Sequence, residues 1–167
     1  NNKNKLGSFS FQERYNTESS YVAGAMYHGV SSKELVVKMG QSNLLSFFGS
    51  GGLSFQEIEK AIQHIKFHLT PNKPFGINFI NNPLDPESGM RLINLFLKEN
   101  IKVIEASAFA TITPELVYFR LKNLTKDSSG NPMPKQHIMA KLSRHDVAEK
   151  FLSPPPKQIV MKLLSSE

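Results

Sequence analysis

Two charged side chains stand where the sequence is otherwise apolar: Glu105 ends the run 101–105, just before Ala106-Ser107-Ala108, and Lys141 lies within the run 138–142. A charge is seldom buried alone, so each must face a polar cleft or pair with the other, and a cleft accounts for both at once. Asn78, inside the apolar run 75–80, needs hydrogen-bond partners for its amide, supplied by a ligand or by backbone. Ala23-Gly24-Ala25-Met26 is small enough for a flat aromatic ligand to lie against its backbone, although a tight strand-to-helix turn explains the same residues and is favoured on spacing alone. Gly49-Ser50-Gly51-Gly52 offers backbone amides ahead of a helix start, the makings of a weak anion cradle without a P-loop lysine or dinucleotide-fingerprint spacing.

Other chemistries find less support. His64 and His68 have the i, i+4 spacing of a zinc pair, yet no Glu follows His64 and no third ligand is near, so a solvated helix face is expected and no metal site. The chain has no Cys, and no Gly-x-Ser-x-Gly elbow occurs, which leaves nucleophilic hydrolysis without a foothold.

These residues sit at the ends of short apolar runs that alternate with amphipathic ones, each change marked by Gly, Ser, Pro or Asn. Strands are predicted over 21–25, 44–48, 75–80, 101–105 and 138–142. Helices are predicted over 31–40, where Ser31 and Glu34 have capping-box spacing, from Ser54 with Glu57 as a second box, and over about 86–99, ended by Asn100. Further helices start at Thr113-Pro114-Glu115 and cover 145–151 and 158–164, the last two separated by the stiff Pro154-Pro155-Pro156. Residues 1–16 read as an irregular lead-in, and 120–137 as a hairpin-like excursion around the turn cluster Asp127-Ser128-Ser129-Gly130-Asn131.

Repeated βα units imply parallel strands joined by right-handed crossovers, either an open doubly wound sheet or part of a barrel. A complete barrel takes eight strands and typically about 250 residues, so five strands make at most a piece of one. Ligands of both architectures collect at the carboxyl ends of the strands, where the residues singled out above stand.

At 167 residues with 40% hydrophobic residues and 10 Gly, the composition is that of one globular domain over 1–167. Lys+Arg 20 against Asp+Glu 14 gives a net charge of +6, which favours anionic partners. The basic residues are scattered over helices with no aromatic platform, so nucleic acid is not expected. No apolar run approaches the roughly 18–20 residues of a membrane span, no secretory leader is visible, and the lack of Cys makes the cytoplasm the default location.

Taken in order, YVAGAMYHGVSSKELVVKMG, LLSFFGSGGLS, KPFGINFINNP, VIEASAF and IMAKLSRHDVAEKF resemble the trans-acting enoyl reductases of polyketide and polyunsaturated fatty acid synthases. Those enzymes lie within the wider nitronate monooxygenase (nitropropane dioxygenase-like) family of FMN-dependent TIM-barrel proteins. AGAM, FGSGGLS and EASAF favour the enoyl reductase branch over nitronate oxidation. The resemblance runs over about residues 6–164 and implies a parallel (β/α) TIM barrel of the FMN-linked type, of which this chain covers about the first half. It implies an FMN that takes hydride from NADPH or NADH and passes it to an α,β-unsaturated thioester on an acyl carrier protein.

Carried over by position, Ala23, Gly24, Ala25 and Met26 would line the flavin ring, Asn78 would bond its polar edge, Glu105 and Ala106 would lie beside it, and Lys141 would set a positive charge near it. The family's glycine-flanked histidine and phosphate-holding loops belong to later strands and are expected outside this chain. Lys33, Lys38 and Lys66 are candidates to meet the acidic carrier protein. A nitronate monooxygenase is the alternative of the same class, and a noncatalytic half-barrel that binds a carrier protein the alternative of a different one.

Overall fold

The structure is a computed structural model that describes residues 7–165, and it divides into two units between Phe79 and Ile80. In the first unit, β1 (Val22–Ala23), β2 (Leu45–Phe48) and β3 (Gly76–Ile80) run parallel, with Val22 opposite Leu45 and Phe47 opposite Gly76. Helix α2 (Lys33–Gln41) connects β1 to β2, and α3 (Phe55–His68) connects β2 to β3. Every residue of β2 is buried, as is the face of α3 formed by Ile58, Ala61, Ile62 and Ile65. Burying each of the three isoleucines contributes about 1.5–3 kcal/mol before entropy is set against it.

The second unit holds α4 (Pro86–Lys98), β4 (Val103–Ser107), α5 (Pro114–Leu121), β7 (His137–Ala140), α6 (His145–Leu152) and α7 (Lys157–Ser165). Strand β4 pairs parallel with β7, Glu105 opposite Met139 and Ala106 opposite Ala140. Between α5 and β7, the short strands β5 (Thr125–Lys126) and β6 (Pro132–Met133) form an antiparallel ladder, closed by Asp127, whose carboxylate accepts the amides of Ser129 and Asn131 at 2.8 Å each. Within each unit the paired parallel strands follow chain order, β1-β2-β3 in the first and β4-β7 in the second, as the βα rhythm implies.

Several boundaries differ from the sequence reading for identifiable reasons. Within the lead-in read as irregular, Phe9–Tyr15 is a helix, α1, with the Phe11 and Tyr15 rings 4.7 Å apart one turn on and Asn16 ending it in the left-handed region. The first strand shrinks to two residues because the chain turns into a single 3₁₀ turn at Tyr27–Gly29. Strand β4 extends to Ser107, so Glu105 lies mid-strand rather than at its end, and β7 stops at Ala140, which places Lys141 just past it. Helix α2 is capped by Ser32, whose hydroxyl accepts the Leu35 amide at 3.2 Å, and not by Ser31. The Ser54–Glu57 capping box of α3 forms as expected, as does the Asp85–Pro86 start of α4.

Hydrogen bonds from its own backbone amide and from the Ser32 hydroxyl hold the Glu34 carboxyl down at about 2. A depressed carboxylate adds stability that is present above its unfolded value and is lost as pH falls through the folded one, here from 4.5 down to about 2. Ser32→Ala should therefore raise the Glu34 value toward 4.5 in a carboxylate NMR titration and weaken the α2 cap. An unmoved titration would show that Ser32 does not hold this carboxylate.

Candidate functional site

The carboxyl ends of the first unit's strands are built from two interlocked loops. Gly29 donates its amide to the Gly49 carbonyl at 2.8 Å, His28 to the Gly51 carbonyl at 2.9 Å, and Gly49 to the Ser31 carbonyl at 3.0 Å. The buried Ser31 Oγ accepts the Met26 amide at 2.8 Å, which is why Ser31 is not free to cap α2. A Cβ on Gly49 would run into the Met26 carbonyl oxygen and stand 2.8 Å from Ser31 Oγ, so only glycine permits this approach. Beside this junction, Ser50 Oγ donates to the carbonyl of the buried Asn78 at 2.5 Å.

This wiring bears on the glycine turn that follows β2. The amides of Gly49, Ser50 and Leu53 bond to carbonyls, and those of Ser54 and Glu57 to the capping box. Within the 49–52 turn the Gly49 and Ser50 amides are therefore occupied by the protein's own oxygens, and Glu57 brings a negative charge to the helix start that follows. Ala23, Gly24, Ala25 and Met26 leave β1 as a chain of small side chains ending in a half-exposed methionine, and both this segment and the Asn78 amide belong to the same unit.

In the second unit, Lys141 Nζ stands 3.3 Å from Glu105 Oε2, so the two charges singled out from the sequence pair with each other. They differ sharply in surroundings: the Glu105 side chain is 3% exposed and that of Lys141 48%. Strand alternation puts Glu105, Met139 and Lys141 on one face and Ala106 with Ala140 on the other. Ala106 contributes its carbonyl, which accepts the Lys141 amide at 2.9 Å and extends the ladder beyond β7.

Other residues at these strand ends escaped the sequence reading. Ala108 and His28 adopt the left-handed conformation, at φ 62 and φ 54, unusual for side chains other than Gly or Asn. Asn81 braces the end of β4, its amide donating to the Ser107 carbonyl at 3.0 Å and its Nδ2 to the Ala108 carbonyl at 3.3 Å. The Asn81-Asn82-Pro83 corner was the available signal for this brace. His64 and His68 stack at 4.2 Å on α3, with the His68 ring bonded to the His64 carbonyl. No cluster of three metal-binding side chains occurs among the described residues.

Against this geometry, no family model matches the chain. Over 159 residues it is 42% identical to the polyketide biosynthesis protein PksE of Bacillus subtilis, covering 95% of this chain and 21% of PksE. Over 161 residues it is 35% identical to a polyunsaturated fatty acid synthase component of Thraustochytrium, covering 96% of this chain and 11% of that protein. The crystal structure of the enoyl reductase domain of MlnA, from the macrolactin biosynthesis cluster of Bacillus amyloliquefaciens, superposes with a TM-score of 0.95 at 40% identity, over 97% of this chain and 37% of that one. The chain thus spans about a fifth or less of the two curated relatives and little more than a third of the solved domain. Its fold is a parallel α/β segment of the barrel-type enoyl reductase fold, as the sequence resemblance implied.

Gly49→Ala should cost about 1–3 kcal/mol of overpacking strain, read as a lowered Tm, because the obstacle is backbone and cannot swing aside. A Tm unchanged by that substitution would contradict the close approach. For Lys141→Met, the carboxylate left behind is the buried partner, so the loss in denaturant unfolding should exceed the roughly 1 kcal/mol of an exposed pair and approach the roughly 3–5 of a buried one.

Proposed function

We propose that this chain, a homologue of the MlnA enoyl reductase domain and of polyketide and polyunsaturated fatty acid synthase proteins, is a segment of an FMN-dependent enoyl reductase that reduces α,β-unsaturated acyl thioesters on an acyl carrier protein with NADPH or NADH. The single observation that carries the reading is the 0.95 TM-score at 40% identity to that domain over 97% of this chain. The residues fit the ring of the cofactor better than its phosphate. Uncharged, small side chains at Ala23, Gly24 and Ala25, the thioether of Met26 and the buried amide of Asn78 suit a flat, polar-edged ring, whereas the Gly49 and Ser50 amides are already bonded to carbonyls.

When bound, FMN supplies the hydride chemistry. The chain's own part is to hold and tune. Residues 23–26 offer a surface without bulk, and the Asn78 side chain can donate and accept at the ring edge. Glu105 restrains the Lys141 ammonium at 3.3 Å, so that a positive charge stands at the strand's carboxyl end at little further ordering cost. Ala106 fits less directly, since its side chain lies on the opposite strand face and only its carbonyl joins the Lys141 ladder. The catalytic proton donor is assigned to the remainder of the longer protein, whose relatives extend well beyond the matched stretch.

The net charge of +6 supports an acidic carrier protein as partner, with Lys38 and Lys66 on exposed helix positions; Lys33 is drawn toward Glu34 at 3.2 Å. No helix of the described residues is long and apolar enough to cross a membrane, which is compatible with the cytoplasm where such carrier proteins work. The test uses the full-length protein. Its bound flavin should bleach with NADPH under anaerobic conditions and recover on adding an enoyl thioester, and Lys141→Met should slow the bleaching about tenfold or more with flavin still bound. Consumption of a nitronate and oxygen without a nicotinamide would favour a nitronate monooxygenase, and carrier-protein binding without flavin a noncatalytic module.

A further inference from the structure

The connection from α5 to β7 is longer than a crossover needs. It runs over residues 122–136, where about two to six residues commonly suffice, and it is folded into the β5–β6 ladder. Long connections in compact units are uncommon, and the ordered ones tend to carry a function. Strand pairing fixes the end at which this one stands. His137 opens β7 opposite Val103, and its amide donates to the Lys102 carbonyl at 2.8 Å, so the hairpin and the α4–β4 connection meet at the amino ends of the two strands. Lys141 lies four residues further along the chain, roughly 13 Å away at about 3.3 Å per residue. The hairpin therefore faces away from the proposed flavin contacts.

Residues 98–102 and 118–137, which build this end, carry six cations, Lys98, Lys102, Arg120, Lys122, Lys126 and Lys135, against two anions, Glu99 and Asp127. The Asp127 carboxylate is engaged by the amides of its own turn. Three of the cations are placed by uncharged groups: Lys102 Nζ donates to Asn100 Oδ1 at 2.6 Å, Lys122 Nζ stands 5.2 Å from the centre of the Tyr118 ring, and Arg120 donates to the Gln136 carbonyl. Lys98, Lys126 and Lys135 are exposed and make no ion pair among the described residues. Leu124 and Met133, 44% and 51% exposed, stand on the same hairpin. Lysines are almost never fully buried unless paired, so this is not a surface that the rest of a longer barrel would cover as it would an apolar edge.

The mixture of side chains selects the partner. Polyphosphates are met best by guanidinium forks and stacked rings, whereas the one arginine of these segments is turned to the Gln136 carbonyl and the Tyr118 ring lies under Lys122. Point-like ammonium charges around exposed apolar side chains suit carboxylates set around an apolar side chain, which is protein chemistry. We propose that the β5–β6 hairpin, with Lys98 and Lys102 beside it, is a docking surface for an acidic segment of a partner protein, held at the amino ends of the strands and away from the chemistry. This surface goes beyond the enoyl reductase reading and does not depend on it.

The test titrates the full-length protein into a short fluorescein-labelled peptide, rich in Glu and carrying two leucines, and follows its anisotropy. The peptide should bind, and the binding should weaken several-fold as ionic strength is raised. Lys126→Glu combined with Lys135→Glu should weaken it about tenfold or more, and Leu124→Ser combined with Met133→Ser about threefold, with Tm near wild type because all four side chains are exposed. Lys157→Glu combined with Lys162→Glu, on exposed positions of α7, makes the same change in net charge and should leave binding within about twofold. If charge reversal in the hairpin lowers Tm, Lys126→Gln combined with Lys135→Gln takes its place, with a loss of about threefold expected. An absence of binding, an equal loss in the α7 pair, or tighter binding of a single-stranded oligothymidylate of the same charge than of the peptide would overturn the docking surface.

Discussion

Everything proposed for the first unit depends on one backbone approach, that of Gly49 to the Met26 carbonyl. Because no side chain intervenes, the loops after β1 and β2 exchange three backbone hydrogen bonds, from His28, Gly29 and Gly49, and the buried Ser31 hydroxyl ties Met26 into the same junction. Two loops that would each be mobile alone become a single rigid platform at the carboxyl ends of the strands, where parallel α/β folds place their ligands. The position of 23–26, the left-handed turn at His28 and the stance of Tyr27 all follow from that junction.

The second unit solves a different problem, a charge inside an apolar strand. Glu105 is tolerated at 3% exposure because Lys141, held by the ladder bond to the Ala106 carbonyl, brings its ammonium to 3.3 Å. The lysine keeps about half its surface in contact with solvent, which lowers the desolvation cost of the pair.

Periodicity and caps carried much of this in the sequence. The βα alternation, the Ser54–Glu57 box, the Asp127 turn and the unusual positions of Glu105 and Lys141 all reflect local rules that hold wherever such residues occur. What was not legible depended on contacts between segments. Ser31 and Ser32 are equivalent as caps until Met26 claims Ser31 through a bond that spacing cannot reveal. The same is true of Gly49, which reads as one more turn glycine, and of His28 and Ala108, whose left-handed backbones are imposed by neighbours rather than by their own preferences. Helix α1 was missed because its seven residues bury no side chain and so carry no clear apolar stripe.

The central claim is that residues 23–26 and Asn78 form the resting place of a flavin ring in the complete protein. The most direct measurement is the visible absorbance of the full-length protein, purified without added cofactor, beside that of Gly24→Val, which adds a branched side chain to the segment proposed to receive the ring. The wild type should show a flavin spectrum near one equivalent and the variant should lose it, with Tm measured on apoproteins changing little. A colourless wild type, or a variant that keeps its full flavin, would contradict the claim.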